Sequence, residues 1–141
     1  TEVNVQSALI EWRKEAELRC EDLKIKLNWQ QQPLSGNLRC DVFTHATLCL
    51  REAVSNAIRN HQTPDLDIQL YPSESDLVIV LKNDSLPSAA TPGMGISNMQ
   101  QRMRLIGGQL EISTTTNEEL ILWHATLPIP LIETHSNHSP R

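Results

Sequence analysis

The period of the hydropathy pattern changes several times along this chain, and the order of the changes leaves few architectures open. Over residues 5–23 apolar side chains recur at Val5, Leu9, Trp12, Ala16, Cys20 and Leu23, in steps of three and four that mark one face of an amphipathic helix. The period then drops to two: Ile25, Leu27 and Trp29 alternate with Lys24, Lys26 and Asn28, as in a half-buried strand. Residues 30–37, with Pro33 and Gly36, read as a loop. A second helix is predicted from an N-cap at Asp41 to about Asn60. Its inner face is expected to hold Phe43, Thr47, Leu50, Val54, Ala57 and Ile58, and Thr63-Pro64-Asp65 stops it. Leu66, Ile68 and Leu70 alternate as a strand, residues 72–74 turn the chain, and the apolar run at 77–81 is a central strand, so the two make a hairpin. Residues 83–92 are expected to be a lid-like loop. Ile96, Met99, Met103 and Ile106 mark a third, short helix closed by Gly107-Gly108. Leu110, Ile112 and Thr114 alternate as a strand, and residues 120–127 form another.

The predicted order, α-β-α-β-β-α-β-β, ends on two strands after the last helix, unlike the strict alternation behind a parallel sheet. It fits an α/β two-layer sandwich, with a mixed, mostly antiparallel sheet of about five strands and three helices on one face. With 141 residues the chain can bury one core and not two. The domain is expected to occupy residues 1–130, and the polar residues 131–141 are expected to be a disordered tail.

Hydrophobic residues make up 39% and charged residues 21%, a globular composition. A net charge of −5 without a Lys/Arg block argues against nucleic acid as a partner, although a local basic residue could still grip a phosphate. Cys20, Cys40 and Cys49 are odd in number and lack a C-x-x-C spacing, which points to reduced thiols in a cytoplasmic domain rather than a disulfide framework or zinc site. No apolar run approaches the ~20 residues of a membrane span, and the first residue, Thr1, reads as the start of a piece of a longer protein.

The chemistry gathers on the second helix. Glu52, Asn56 and Asn60 follow one another at intervals of four, so they stack on one stripe, with Arg59 beside them. The stripe borders the apolar face. A carboxamide oxygen is a hard ligand for Mg²⁺, Arg neutralises phosphate oxygens, and Glu can orient or deprotonate a nucleophile. On its own, a solvated face with i,i+4 pairs accounts for the same stripe. A second signal is Gly93-Met94-Gly95 at the start of the third helix, where glycines let backbone N–H groups approach an anion at a positive helix end. A loop that needs positive φ accounts for it equally well. No Gly-Lys-Ser/Thr follows it, so it is not a Walker loop, and Asn98 stands where a Rossmann fingerprint needs its third Gly.

Together the two signals are more specific. The stretches L-R-E-A-V-S-N-A-I-R-N-H (residues 50–61), K-N-D-S (82–85) and G-M-G-I-S-N-M-Q-Q-R-M-R-L-I-G-G-Q-L-E-I (93–112) resemble the ATP-binding domain of two-component sensor histidine kinases. Within that family they are most similar to the nitrate-sensor-type and desaturase-sensor-type branch. The resemblance covers roughly residues 2–130. It implies the Bergerat α/β sandwich shared with gyrase B and MutL, with ATP and Mg²⁺ as ligands. Glu52 is implied as general base or orienter and Asn56 as the Mg²⁺ ligand. Arg59, Asn60, Asn83, Ser85, Gly93, Gly95 and Ile96 are implied around the nucleotide, while Asn98 and Arg102 match the N-M-x-x-R pattern that follows. The implied partners are a separate helical dimerisation and phosphoacceptor domain of the same protein and a downstream response regulator. The setting is cytoplasmic, with a parent protein that could be tethered to the inner membrane.

Two departures stand out. Asn83-Asp84-Ser85 replaces the first glycine box, D-x-G, whose Asp accepts the adenine amino group. Strand phase favours Asn83 as the match, and Asp84 is the alternative. The late Gly-Thr is also absent, its place taken by Asn117-Glu118-Glu119. A non-catalytic interaction domain with weak nucleotide binding, and a serine kinase of the anti-sigma type, therefore stand beside the histidine-kinase reading. His45, His61, His124, His135 and His138 all lack the H-E or H-D context of a phosphoacceptor and read as structural or surface residues.

Overall fold

The computed structural model describes residues 1–59, 65–85, 94–117 and 120–130. Its elements are β1 (Glu2–Asn4), α1 (Val5–Asp22), β2 (Lys26–Gln31), β3 (Asn37–Arg39), α2 (Cys40–Arg59), β4 (Asp65–Ser73), β5 (Asp76–Ser85), α3 (Met94–Leu105), β6 (Glu111–Asn117) and β7 (Leu120–Pro130). The main sheet has five strands in the order β2-β4-β5-β7-β6, and β1 and β3 form a separate two-stranded ribbon. Only β2 and β4 run parallel in the main sheet, the other pairs being antiparallel. This is the expected mixed sandwich with its helices on one face. The β1–β3 ribbon was not expected, because three-residue strands are too short to declare a period.

Both long helices start where the ribbon leaves them. The Asn4 side chain accepts from the backbone N–H of Gln6 at 2.8 Å and of Ser7 at 3.4 Å, which caps α1. α2 begins at Cys40, one residue ahead of the predicted cap, because the Cys40 N–H bonds the Thr1 carbonyl next to the ribbon. Asp41 thus lies inside the first turn. Its carboxylate accepts from the Val42 N–H at 2.9 Å and is clasped by Arg39, which holds it below the usual carboxylate range.

α1 buries Val5, Ala8, Leu9, Trp12, Ala16 and Cys20, close to the predicted face. Leu23 departs from it. At 55% exposed it caps the helix just before Lys24 takes a φ of 57°, which turns the chain out towards Ile25 and β2. The inner face of α2 also differs from expectation. Val42, Ala46, Cys49, Leu50, Ala53, Val54 and Ala57 are buried, whereas Phe43, Thr47 and Ile58 are half-buried. Phe43 and Thr47 serve α1 instead: the Trp12 and Phe43 rings stack at 5.9 Å, and the Trp12 indole N–H donates to the Thr47 hydroxyl at 2.9 Å.

One strand runs longer than its apolar content suggests. β5 continues through Asn83, Asp84 and Ser85, which were expected to open a loop, because they pair in unbroken register with Trp123, Leu122 and Ile121 of β7. Cross-strand pairing here overrides the weak intrinsic preference of Asn and Asp for strands. The rest of the expected lid, residues 60–64 where the helix stop was expected, residues 118–119 and the expected tail at 131–141 lie outside the described residues.

The end of α3 is a Schellman turn. The Gly108 N–H returns to the Met103 carbonyl at 2.8 Å and the Gly107 N–H to the Arg104 carbonyl at 3.2 Å, with Gly107 at φ 80°. Gly107 needs glycine for its backbone angle, whereas Gly108 needs it for space: a Cβ there would lie 2.5 Å from the Pro128 carbonyl oxygen and 2.7 Å from Met103 Cε. A side chain can yield, but a strand carbonyl in the ladder yields only by moving β7. Gly107→Ala is therefore expected to cost about 1 kcal/mol, the penalty of a left-handed residue, and Gly108→Ala about 1–3 kcal/mol, the penalty of overpacking. Thermal unfolding of both variants checks the order, and an equal or smaller loss for Gly108→Ala would show that β7 does not press on this turn.

Candidate functional site

Three of the predicted residues come together near the C-terminal end of α2. The Arg59 guanidinium lies 3.5 Å from the Glu52 carboxylate and donates to the Asn56 side-chain oxygen. One cation thus spans two hard oxygen donors. Glu52 and Asn56 are half-buried, and the Arg59 side chain is 62% exposed. An ion pair this exposed contributes roughly 0.2–1 kcal/mol, so Arg59 can leave its partners at little cost.

The stripe reaches further back along the helix than the predicted set. His45, Cys49, Glu52, Asn56 and Arg59 follow at intervals of four, three, four and three, which is one face of α2. Its first half meets α3. His45 Nδ1 lies 3.4 Å from an Arg102 guanidinium nitrogen, and the Cys49 thiol is 3.6 Å from the Met99 carbonyl oxygen. As the number rises along α2 it falls along α3, so the helices pack antiparallel. At about 1.5 Å per residue, the three residues from Cys49 to Glu52 match the three from Met99 back to Ile96. The first turn of α3, with Gly95 and Ile96, therefore lies towards Glu52 and Asn56.

The remaining predicted residues divide. Asn83 and Ser85 share the strand parity of the buried Leu77, Ile79 and Leu81, while Asp84 has the parity of Val78, which is also buried, and of Val80 and Lys82. α2 packs against β5 and β7. Asn98 is exposed on α3, and Arg102 is engaged with His45 rather than with an acid. Asn60 and Gly93 lie outside the described residues. Sequence reasoning read His45 as structural or surface and did not place it or Cys49 on this stripe, although their spacing from Glu52 was available.

Among the described residues no group of three or more His, Cys, Asp and Glu side chains converges as a metal cage. An oxygen pair such as Glu52 and Asn56 is instead the sparse donor set that suits Mg²⁺, which keeps several waters and takes its other ligands from phosphates. Two cavities among the described residues lie elsewhere. One of about 180 Å³ sits beside β2 and β4 against Gln30, Gln31, Gln32 and Gln69, and a gap of about 10 Å³ separates α1 from α2 near Trp12 and Leu50. Neither adjoins the polar stripe, and the second is room for a single water. Among the described residues no helix is long and apolar enough to cross a membrane.

No family model matches the chain, nor does any curated protein. Solved structures do. The histidine kinase AdeS of Acinetobacter baumannii matches with a TM-score of 0.69 at 14% identity, over 93% of this chain and 66% of that one. The catalytic domain of the histidine kinase ThkA, in a nucleotide-free form, matches with a TM-score of 0.69 at 18% identity, over 94% of this chain and 97% of that one. A further nucleotide-free form of ThkA gives 0.67 at 17% identity, over 92% and 97%. The chain thus has the fold of histidine kinase catalytic domains.

Burial pushes the Cys49 thiol up to about 11, with the Arg102 charge pulling weakly the other way, and burial also raises Cys20; Cys40 is exposed. At pH 8 only on the order of 0.1% of Cys49 is thiolate. A chromogenic disulfide reagent is expected to titrate one thiol per folded chain quickly, at Cys40, and all three after unfolding. Fast reaction of three thiols in the native protein would mean that α3 does not cover Cys49.

Proposed function

We propose that this chain is the ATP-binding catalytic domain of a cytoplasmic sensor histidine kinase, of the nitrate-sensor or desaturase-sensor type. It would pass the terminal phosphoryl group of Mg-ATP to a histidine on a separate helical dimerisation and phosphoacceptor domain, upstream of a response regulator. The observation that carries the reading is the gathering of Glu52, Asn56 and Arg59 at the end of α2, towards which the glycine-led start of α3 is turned.

In this reading Asn56 holds Mg²⁺ through its side-chain oxygen, and the ion supplies charge neutralisation at the phosphates. Arg59 leaves its exposed partners for phosphate oxygens. The first turn of α3, with Gly95 and Ile96, offers backbone N–H groups to the same anion, and Gly93 of the resembled glycine box is assigned the same role. The attacking imidazole nitrogen bonds to the terminal phosphorus as the bond to the bridging oxygen of ADP breaks, and Glu52 orients the imidazole and takes its proton. Positioning and electrostatics supply most of the rate. Asn60 and Ser85 flank the nucleotide. By the resemblance, Asn83 is assigned to the adenine amino group and would offer it a neutral carbonyl where the family uses a carboxylate.

That neutral residue and the missing late Gly-Thr favour a second reading, an interaction domain that binds nucleotide weakly and transfers nothing. The two readings differ in outcome. Asn56→Ala is expected to abolish detectable Mg-ATP binding in calorimetry with the circular dichroism intact. With the cognate phosphoacceptor domain added, Glu52→Ala is expected to slow transfer by about 10²-fold or more. Binding without any transfer by the native chain would establish the second reading, and Mg-ATP affinity indifferent to Asn56→Ala would remove the metal assignment.

A charged and a neutral hydrogen bond differ by on the order of 1 kcal/mol, or about five- to tenfold in Kd. Asn83→Asp is therefore expected to tighten ATP binding by about that factor and to sharpen preference over GTP, since a carboxylate only accepts whereas a carboxamide can turn and donate. Calorimetry with both nucleotides is the check. Weaker binding by Asn83→Asp, or loss of binding in Asp84→Asn, would transfer the adenine contact to Asp84.

A further inference from the structure

His45 has no part in the chemistry just described, yet it stands on the same stripe of α2, seven residues before Glu52. Its Nδ1 faces the Arg102 guanidinium at 3.4 Å, and both side chains are half-buried. Arginine has donors and no acceptor, so the guanidinium is the donor in this contact and Nδ1 the acceptor. One turn along, the Cys49 thiol meets the Met99 carbonyl oxygen at 3.6 Å. A single contact between two helices is a pivot. Two contacts, one turn apart on each helix, fix both the height of α3 along α2 and its rotation about its own axis. Arg102 lies eight residues after Met94, or about 12 Å along the helix, so a small rotation at the clasp is carried to the first turn.

We propose that His45 is a positioning residue: with Cys49 as the second point, it holds α3 through Arg102 so that the glycine-led first turn of α3 meets the phosphates beside Glu52 and Asn56. The inference rests on the nucleotide reading above and adds a residue that touches neither nucleotide nor metal. Its consequence is selective. Losing the clasp weakens the grip on phosphates and leaves the contacts of the nucleoside alone.

The test compares His45→Leu, which fills the space without an acceptor, with His45→Asn, whose side-chain oxygen can take the place of Nδ1. Calorimetry with Mg-ATP, an NMR titration with adenosine, and hydrogen exchange at the amides of residues 97–105 without nucleotide are the readouts. His45→Leu is expected to bind Mg-ATP about five- to tenfold more weakly, to bind adenosine as before, and to exchange faster along α3 but not in β4 or β5. His45→Asn is expected to restore all three. Unchanged Mg-ATP affinity in His45→Leu, an equal loss for adenosine, or unchanged exchange in α3 would each overturn the proposal. A native chain that does not bind Mg-ATP would bring down the nucleotide reading instead. Exchange in α3 would then still decide whether His45 holds the helix.

Discussion

α2 has to satisfy three neighbours at once, and the rest of the domain is arranged around how it does so. With one residue every 100°, its surface divides into sectors. Ala46, Cys49, Ala53 and Ala57 are small and buried, and α2 packs on β5 and β7. Phe43 and Thr47 answer Trp12 on α1, and Arg51 answers Glu15 at 2.6 Å. His45 and Cys49 answer α3. α2 has 20 residues and α3 has 12. Running antiparallel, α3 covers the sector at His45 and Cys49, and its first turn reaches the level of Glu52. Asn56 and Arg59 follow on the same face towards the end of α2.

The energetics of that stretch differ from those of the clasp behind it. The Arg59 contacts are exposed, so solvent screens them and the side chain gives up little by moving. Cys49 is buried and neutral, and its contact lies out of reach of competing water. One helix face thus carries a buried half and a solvent-screened half.

How much of this was legible in the sequence follows from the range of each interaction. The 3.6-residue period of α1, the alternation of β4 and the glycine end of α3 are local, and each could be read directly. The Glu52–Asn56–Arg59 group was legible for the same reason, since one helix makes it. The β1–β3 ribbon was not, because three residues show no period and its partners are 35 positions apart, as in Glu2 with Arg39 and Asn4 with Asn37 displaced in opposite directions about that mean. The strand character of Asn83 to Ser85 comes from pairing with β7, nearly 40 residues on, against local preference. Phe43 was read as part of the inner face of α2, but that it stacks on Trp12 was not legible, because an apolar side chain does not say which of two surfaces it will join. His45 was read as structural, which is what its contact with Arg102 makes it, but the partner lies 57 residues away and no spacing on α2 names it.

The same contrast between local preference and tertiary setting bears on whether the polar stripe is more than a solvated surface. Asn inside a helix is roughly 0.5 kcal/mol worse than Ala, and Gly about 1 kcal/mol worse. Asn56 lies in the interior of α2 and Gly95 in the first turn of α3, so both break the local rule for their element. The Arg59 contact, made at an exposed position, contributes a few tenths of a kcal/mol to Asn56, which has further interactions besides it. Gly108 is required for space, because a Cβ there would strike the Pro128 carbonyl. The antiparallel packing of α2 and α3 brings the start of α3 towards the stretch of α2 that carries Asn56. A carboxamide oxygen that binds a hard cation, beside a helix start whose backbone can approach an anion, is the combination that a metal-bound polyphosphate would repay.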